Sequence, residues 1–248
     1  MSRSRRRKGR NVSGIVVLDK AKGLSSNAAL QEVKRIYGAN KAGHTGSLDP
    51  LATGVLPICL GEATKVSQYL LESDKKYRAR LKLGIRTDSA DSEGIVTERC
   101  EDFVVKAEDV EKALQSFRGE IEQIPPMHSA LKVDGVPLYK LARKGQTVAR
   151  VPRKITVYSI ELTEFGADEI ELEIACSKGT YVRTIADDLG QILACGAHIT
   201  ALHRTQAGAF TEEDCVSTEF LMQEKEALGM QGIDEIPVSY THLRAHET

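Results

Sequence analysis

Two neighbouring stretches, Ile155 to Phe165 and Glu169 to Cys176, constrain the fold more than any other part of the chain. In the second, EIELEIAC, the apolar Ile170, Leu172 and Ile174 alternate with Glu169, Glu171 and Glu173. A period of two places one set on a buried face and the other in water, which is the pattern of a half-buried strand. The link Gly166-Ala167-Asp168 is far too short for a crossover helix, so the two strands must return antiparallel as a hairpin. Gly14 to Asp19, GIVVLD, is a further β-branched strand, and Tyr77 to Leu83, YRARLKL, alternates as well. Helical spacing appears between the strands. Ser25 or Ser26 can cap a helix to about Tyr37, Glu62 to Ser73 presents Val66, Tyr69 and Leu70, Ala107 to Phe117 repeats through Val110, Leu114 and Phe117, and a helix runs from about Tyr181 to Cys195. Hairpin-paired strands with helices between them imply an α/β chain of the α+β type, a mixed but largely antiparallel sheet flanked by helices, and not a doubly wound nucleotide fold.

Several function classes are excluded or weakened by what is missing. The apolar runs are as short as Ile15 to Leu18, where a membrane-spanning helix needs about 20 residues. Glycines do not form G-x-G-x-x-G after the first strand, and there is no P-loop. The five cysteines, Cys59, Cys100, Cys176, Cys195 and Cys215, contain no C-x-x-C pair and read as reduced thiols of a cytoplasmic protein. His198 and His203 are poorly spaced for a metal, so no metal and no cofactor are expected.

Charge is segregated. The first ten residues hold Arg3, Arg5, Arg6, Arg7, Lys8 and Arg10 without an acid, while the whole chain carries a net charge of −1, so the remainder is acidic. A second basic stretch, His128 to Lys154, holds Lys132, Lys140, Arg143, Lys144, Arg150, Arg153 and Lys154 against Asp134 alone. Ile124-Pro125-Pro126 and Val151-Pro152 bracket it as an insertion of about 124–154. Two cationic segments on an acidic body suggest a polyanionic partner, although charge alone is equally compatible with a solvated tail and loop.

One segment asks for a chemical explanation. Lys41 to Gly54, KAGHTGSLDPLATG, contains Gly43, Gly46, Gly54 and Pro50 around a single aspartate, Asp49. Taken by itself, Asp49 could form an Asx-turn before Pro50, or serve as a nucleophile or base if a cation holds it and water is limited. With the loop's continuation GHTGSLDPLATGVLPICLGEATK, SDKKYRA at 73–79, SKGTYVRTIADDLG at 177–190 and the opening GIVVLDKAKGLSS, the chain resembles the bacterial tRNA pseudouridine-55 synthase family from about Gly14 to Leu202. Ala21 stands where that family usually has proline, and Lys41 where arginine is common.

The resemblance implies the pseudouridine synthase fold and a cofactor-free isomerisation of uridine 55 in the T loop of tRNA. It assigns Asp49 as the catalytic aspartate, Arg183 as the arginine that keeps this carboxylate ionised, and Tyr77 as the tyrosine stacked on the target uracil. Tyr181 and Leu202 would line the uracil pocket, and His44 would occupy space in the rearranged T loop and stack against RNA bases. The basic insertion would be an RNA-gripping element whose Lys132, Arg143, Lys144, Arg150 and Arg153 meet phosphates. The expected organisation is a basic flexible tail at 1–10, a catalytic domain at 11–210, and its helical C-terminal part at 211–237. The last residues, 238–248, are expected to be a non-native tail, with a C-terminal RNA-binding domain of the PUA type absent. A monomer without membrane or protein partners is expected. Two other classes stay open: an RNA-binding protein that needs only the insertion, and a hydrolase in which Asp49 is a covalent nucleophile.

Overall fold

A computed structural model of the protein describes residues 9–236. In chain order they form β1 (Gly14–Lys20), α1 (Ser26–Ile36), β2 (Ala42–His44), β3 (Thr53–Leu60), α2 (Ser67–Glu72), β4 (Lys75–Leu83), β5 (Ile85–Thr87), β6 (Val96–Arg99), α3 (Ala107–Leu114), β7 (Gly119–Gln123), β8 (Lys132–Val133), β9 (Val136–Pro137), α4 (Leu138–Ala142), β10 (Arg153–Phe165), β11 (Glu169–Cys176), α5 (Val182–Ile192), β12 (Ala197–Ala207), β13 (Phe210–Thr211) and α6 (Thr218–Asp234). The chain divides into two units. One comprises Met1–Ser73 with His203–Thr248, the other Asp74–Leu202. The terminal tails 1–8 and 237–248, including nearly all of the basic tail and the whole of 238–248, lie outside the described residues.

In the first unit, β3 is the central strand. Residues 14–20 of β1 run antiparallel to it along almost its full length, from Gly14 opposite Leu60 to Lys20 opposite Gly54. The antiparallel β2 pairs with the end of β3, and His203 and Arg204 of β12 run parallel to its beginning, opposite Thr53 and Gly54. This part of the sheet is therefore mixed. Ile15, Val17, Val55, Cys59, Ala63, Leu70, Ala207 and Phe210 form its core. Burying an aliphatic side chain of this kind contributes about 1.5–3 kcal/mol. Helix α1 begins where Ser25 Oγ accepts the Ala28 amide, and buries Ala29, Leu30, Val33 and Ile36.

The helix expected over 62–73 is broken in two. Gly61 adopts φ +54°, and an added Cβ there would stand 2.3 Å from the Val12 carbonyl oxygen, so the chain turns before a helix can start. Thr64 and Ser67 then donate their hydroxyls to the carbonyls of Gly61 and Thr64, competing with regular helical bonding. A 3₁₀ turn (Gly61–Lys65) and the short α2 result. Leu70 is buried, whereas Tyr69 points to solvent.

The second unit is built on a run of paired strands whose spatial order departs from chain order. Residues of β12 up to Leu202 begin it, followed in space by β4, β11, β10 and β7, all neighbours of β11 and β10 being antiparallel. Ile170, Leu172 and Ile174 are buried as their alternation requires, in company with Ala79, Leu81 and Leu83 on β4. Helix α3 packs against β10 and α5. The basic insertion contains the tiny β8–β9 hairpin and α4, and only Leu138 of α4 is buried.

Candidate active site

The Asp49 loop is built from Leu-Asp-Pro-Leu. Leu48 and Leu51 are 5% and 3% exposed, so two apolar anchors sink into the core on either side of a half-buried Asp49. Backbone groups of the loop are gripped by side chains from elsewhere in the first unit. Ser26 Oγ accepts the Leu48 amide at 2.7 Å and donates to the Leu48 carbonyl at 3.0 Å. Lys20, fully buried, donates from Nζ to the carbonyls of Ala21 (2.9 Å), Leu24 (2.7 Å) and Pro50 (3.5 Å). The Gly23 amide also donates to Pro50, and the Ala52 amide closes a turn on the Asp49 carbonyl. Thr53 Oγ1 and His203 Nδ1 are 2.7 Å apart, and Arg204 donates to Val55 and Gly46. His44 ends β2 and is half-buried. Burial first, and the Arg204 charge second, lower its pKa, so its ring is neutral near pH 7. Its buried Nδ1 has no hydrogen-bond partner among the described residues.

The second unit carries Tyr77, Tyr181, Arg183 and Leu202. Arg183 lies in the first turn of α5 and is 4% exposed. Its NH1 donates to the Ser89 carbonyl at 2.8 Å, its NH2 to the His128 carbonyl at 2.8 Å, and Asp91 Oδ2 is 3.6 Å from NH1. Asp91 is itself buried and accepts Ser89 Oγ at 2.6 Å and the Glu93 amide at 3.0 Å. Tyr181 caps α5, and Gln123 clasps its backbone, accepting its amide at 2.8 Å and donating to its carbonyl at 3.0 Å. Tyr77 lies opposite Ile174 on β4 and is half-buried, and Leu202 is buried.

Lys20, Ser26, Asp91, Gln123 and Arg204 are the structural participants that the sequence does not announce. Each is polar and nearly buried, but in the sequence Asp91 sits in TDSADSEG, indistinguishable from the exposed acids of the same turn. A buried role for it depends on Ser89 and Thr87, whose hydroxyls fold the turn inward on Asp91.

In the insertion, Lys132, Arg143, Lys144 and Arg153 are exposed. The Arg143 guanidinium lies over the Tyr139 ring, 5.5 Å from its centre. Arg150 differs from them. It is half-buried and donates to the Pro125 carbonyl at 3.1 Å, tying the insertion to its own base. Arg10, from the basic tail, is likewise engaged within the protein, pairing with Asp234 and donating to the Tyr37 carbonyl. Among the described residues no group of three or more His, Cys, Asp or Glu side chains could hold a metal ion, and no helix is long and apolar enough to cross a membrane.

Residues 34–182 match the N-terminal domain model of the TruB family of pseudouridylate synthases, and residues 183–236 match the C-terminal domain model of tRNA pseudouridylate synthase B. The chain is 59% identical over 218 residues to the tRNA pseudouridine synthase B of Vibrio atlanticus, covering 88% of this chain and 68% of that protein. It is 53% identical over 234 residues to that of Tolumonas auensis, covering 94% and 72%. Among solved structures, a chain of the Cbf5-Nop10-Gar1 complex superposes with a TM-score of 0.71 at 31% identity, over 90% of this chain and 57% of that one. A chain of an H/ACA RNP bound to a substrate RNA containing 2'-deoxyuridine gives 0.69 at 26% identity, over 91% and 58%. The chain thus spans less than two thirds of those structural relatives, yet both family models and the curated relatives agree: it belongs to the TruB family of pseudouridine synthases, which are isomerases.

Proposed function

We propose that the protein converts uridine 55 in the T loop of tRNA to pseudouridine, using Asp49, Arg183 and Tyr77. The observation that carries this reading is the loop itself, in which Leu48 and Leu51 are buried and the backbone is tied on both sides while Asp49 stands half-exposed between them. Preorganisation of this kind is what a carboxylate needs to act on a substrate without first reorganising. Family membership and relatives whose names specify tRNA support the substrate.

The reaction breaks the N1–C1′ glycosidic bond of the uridine, joins C1′ to C5, and transfers the C5 proton away while N1 regains one. Nothing is oxidised or reduced, so the residues need no redox partner. Asp49 attacks the nucleotide or promotes glycosidic cleavage. Arg183, a guanidinium already withdrawn from water, favours the ionised state of a carboxylate. Tyr77 offers a ring for stacking on the uracil and a phenol for a late proton transfer, and Tyr181 and Leu202 line the pocket. The target base must be extruded from the folded loop, which costs a few kcal/mol. His44 occupies space in the rearranged T loop and stacks against RNA bases, and the exposed Lys132, Arg143, Lys144 and Arg153 offset the cost through phosphates, with Arg150 bracing the insertion. A monomer acting in the cytoplasm on the T-arm satisfies this reading.

The test is Asp49→Asn. The amide keeps size and hydrogen bonding but is neither an anion nor a useful nucleophile. Tritium release from C5-labelled uridine in tRNA should vanish while tRNA binding persists. Residual activity within about tenfold of the parent would remove Asp49 from the chemistry, and release of free uracil would favour a hydrolase.

A further inference from the structure

Arg204 is 1% exposed, and its side-chain hydrogen bonds go to backbone carbonyls: Nε to Val55 at 2.7 Å and NH2 to Gly46 at 3.4 Å. Among the described residues no carboxylate lies within ion-pair distance of it. A guanidinium in such surroundings is costly to keep, since Coulombic compensation from an anion is missing and only carbonyl dipoles replace water. Burial also rules out a direct contact with RNA. What the guanidinium does touch is the Asp49 loop, at one carbonyl before the aspartate and one after it. The donors of a guanidinium are fixed in one plane, so bonding both carbonyls sets the separation of the two loop ends.

His203 acts beside it. The two residues occupy adjacent positions on β12, in parallel register with Thr53 and Gly54. His203 Nδ1 meets Thr53 Oγ1 at 2.7 Å, and its Nε2 meets Glu212 Oε1 at 2.8 Å, which fixes the ring from its far side. The approach of the strands is so close that a Cβ on Gly54, where φ is +96°, would lie 2.3 Å from the Arg204 carbonyl oxygen. The loop exit has no slack.

We propose that His203 and Arg204 are positioning residues for the reaction, a two-residue clamp that sets where the Asp49 carboxylate stands. This rests on the reading that Asp49 performs the chemistry. The clamp touches neither substrate nor reacting atoms, so its loss acts on the rate of the chemical step and not on RNA affinity. A misplacement of about 1 Å at a reacting group can lower a rate about 100-fold.

The test uses the full chain in four forms: parent, R204K, T53V and D49N. For each, the single-turnover rate of pseudouridine formation in an unmodified tRNA transcript is measured at saturating protein, with the dissociation constant for the same RNA and the melting temperature. R204K keeps a charge and a stem but not the fork. Its rate should fall about 10- to 100-fold with the dissociation constant within about threefold of the parent. T53V, which removes one hydroxyl from the clamp, should show the same split with a loss of about three- to tenfold. Parent rates in R204K or T53V while D49N is inactive overturn the clamp, and activity in D49N overturns the reading of Asp49 instead. A rate restored at saturating protein with weakened binding also overturns it, because the residues would then act on RNA affinity. If R204K does not fold, T53V decides on the same criteria.

Discussion

Arg183 illustrates why a residue's chemistry depends on partners that the sequence separates by many positions. Its guanidinium meets the carbonyls of Ser89 and His128 and the carboxylate of Asp91, three acceptors arranged for a planar fork and unsuited to a single ammonium. Arg183→Lys should therefore lower the single-turnover rate about 100-fold or more with the protein still folded, and a lysine variant at parental rate would show that the fork is unnecessary. TYVRT and the glycine loop were legible in the sequence because their residue types and order are distinctive, whereas Asp91 was not, since burial of one acid among several in TDSADSEG leaves no local mark. His44 carries a pH signature of its own. Its pKa is lowered from 6.5 by burial and then by Arg204, so the unfolded chain takes up a proton more readily than the folded one. The stabilising effect is complete above 6.5 and is lost as pH falls through the lower folded value. Melting temperatures measured from pH 8 down to pH 5 should drop more for the parent than for His44→Gln, and parallel curves would remove His44 from the account.

Elements were legible where a single local rule decides them. β11 follows from its alternation and α1 from its apolar spacing and serine cap, because in each case local preference and tertiary burial agree. β12 escaped notice. Its sequence AHITALHRTQA mixes apolar and charged residues, since Arg204 is buried against carbonyls and His203 is held by side chains. Only partners distant in sequence make such a strand stable. The adjacent serines of α1 separate the two kinds of role. Ser25 caps the helix and nothing more, so Ser25→Ala should cost about 1 kcal/mol of stability and leave turnover unchanged. Ser26→Ala strands the buried amide and carbonyl of Leu48 beside Asp49, so it should cost about 1–3 kcal/mol and slow turnover as well. Denaturant titrations paired with initial rates check both, and equal effects on turnover would show that Ser26 does not hold the loop.

At the scale of the whole molecule, the charge map sorts what the basic stretch can do. Lys132, Arg143, Lys144 and Arg153 are exposed, while Arg150 is engaged by the Pro125 carbonyl and Lys154 by Glu120. Neutralising Lys132, Arg143, Lys144 and Arg153 together should flatten the dependence of log Kd on log salt by about 0.7–0.9 for each phosphate left without its cation. Neutralising Arg150 should act on stability more than on this slope. A slope unchanged by the fourfold variant would make the stretch a solvated loop, which charge alone could not exclude. The family and its fold were readable from motifs spread along the chain, but which cations face solvent was decided only by packing. Whether the Asp49 loop isomerises one uridine of tRNA is read by mapping pseudouridine at every position of an unmodified tRNA after incubation with the protein or with its Asp49→Asn variant. One new pseudouridine, at position 55, is expected with the parent, and none with the variant although the RNA is bound. Pseudouridine formed elsewhere instead, or formed equally by the variant, would contradict this expectation.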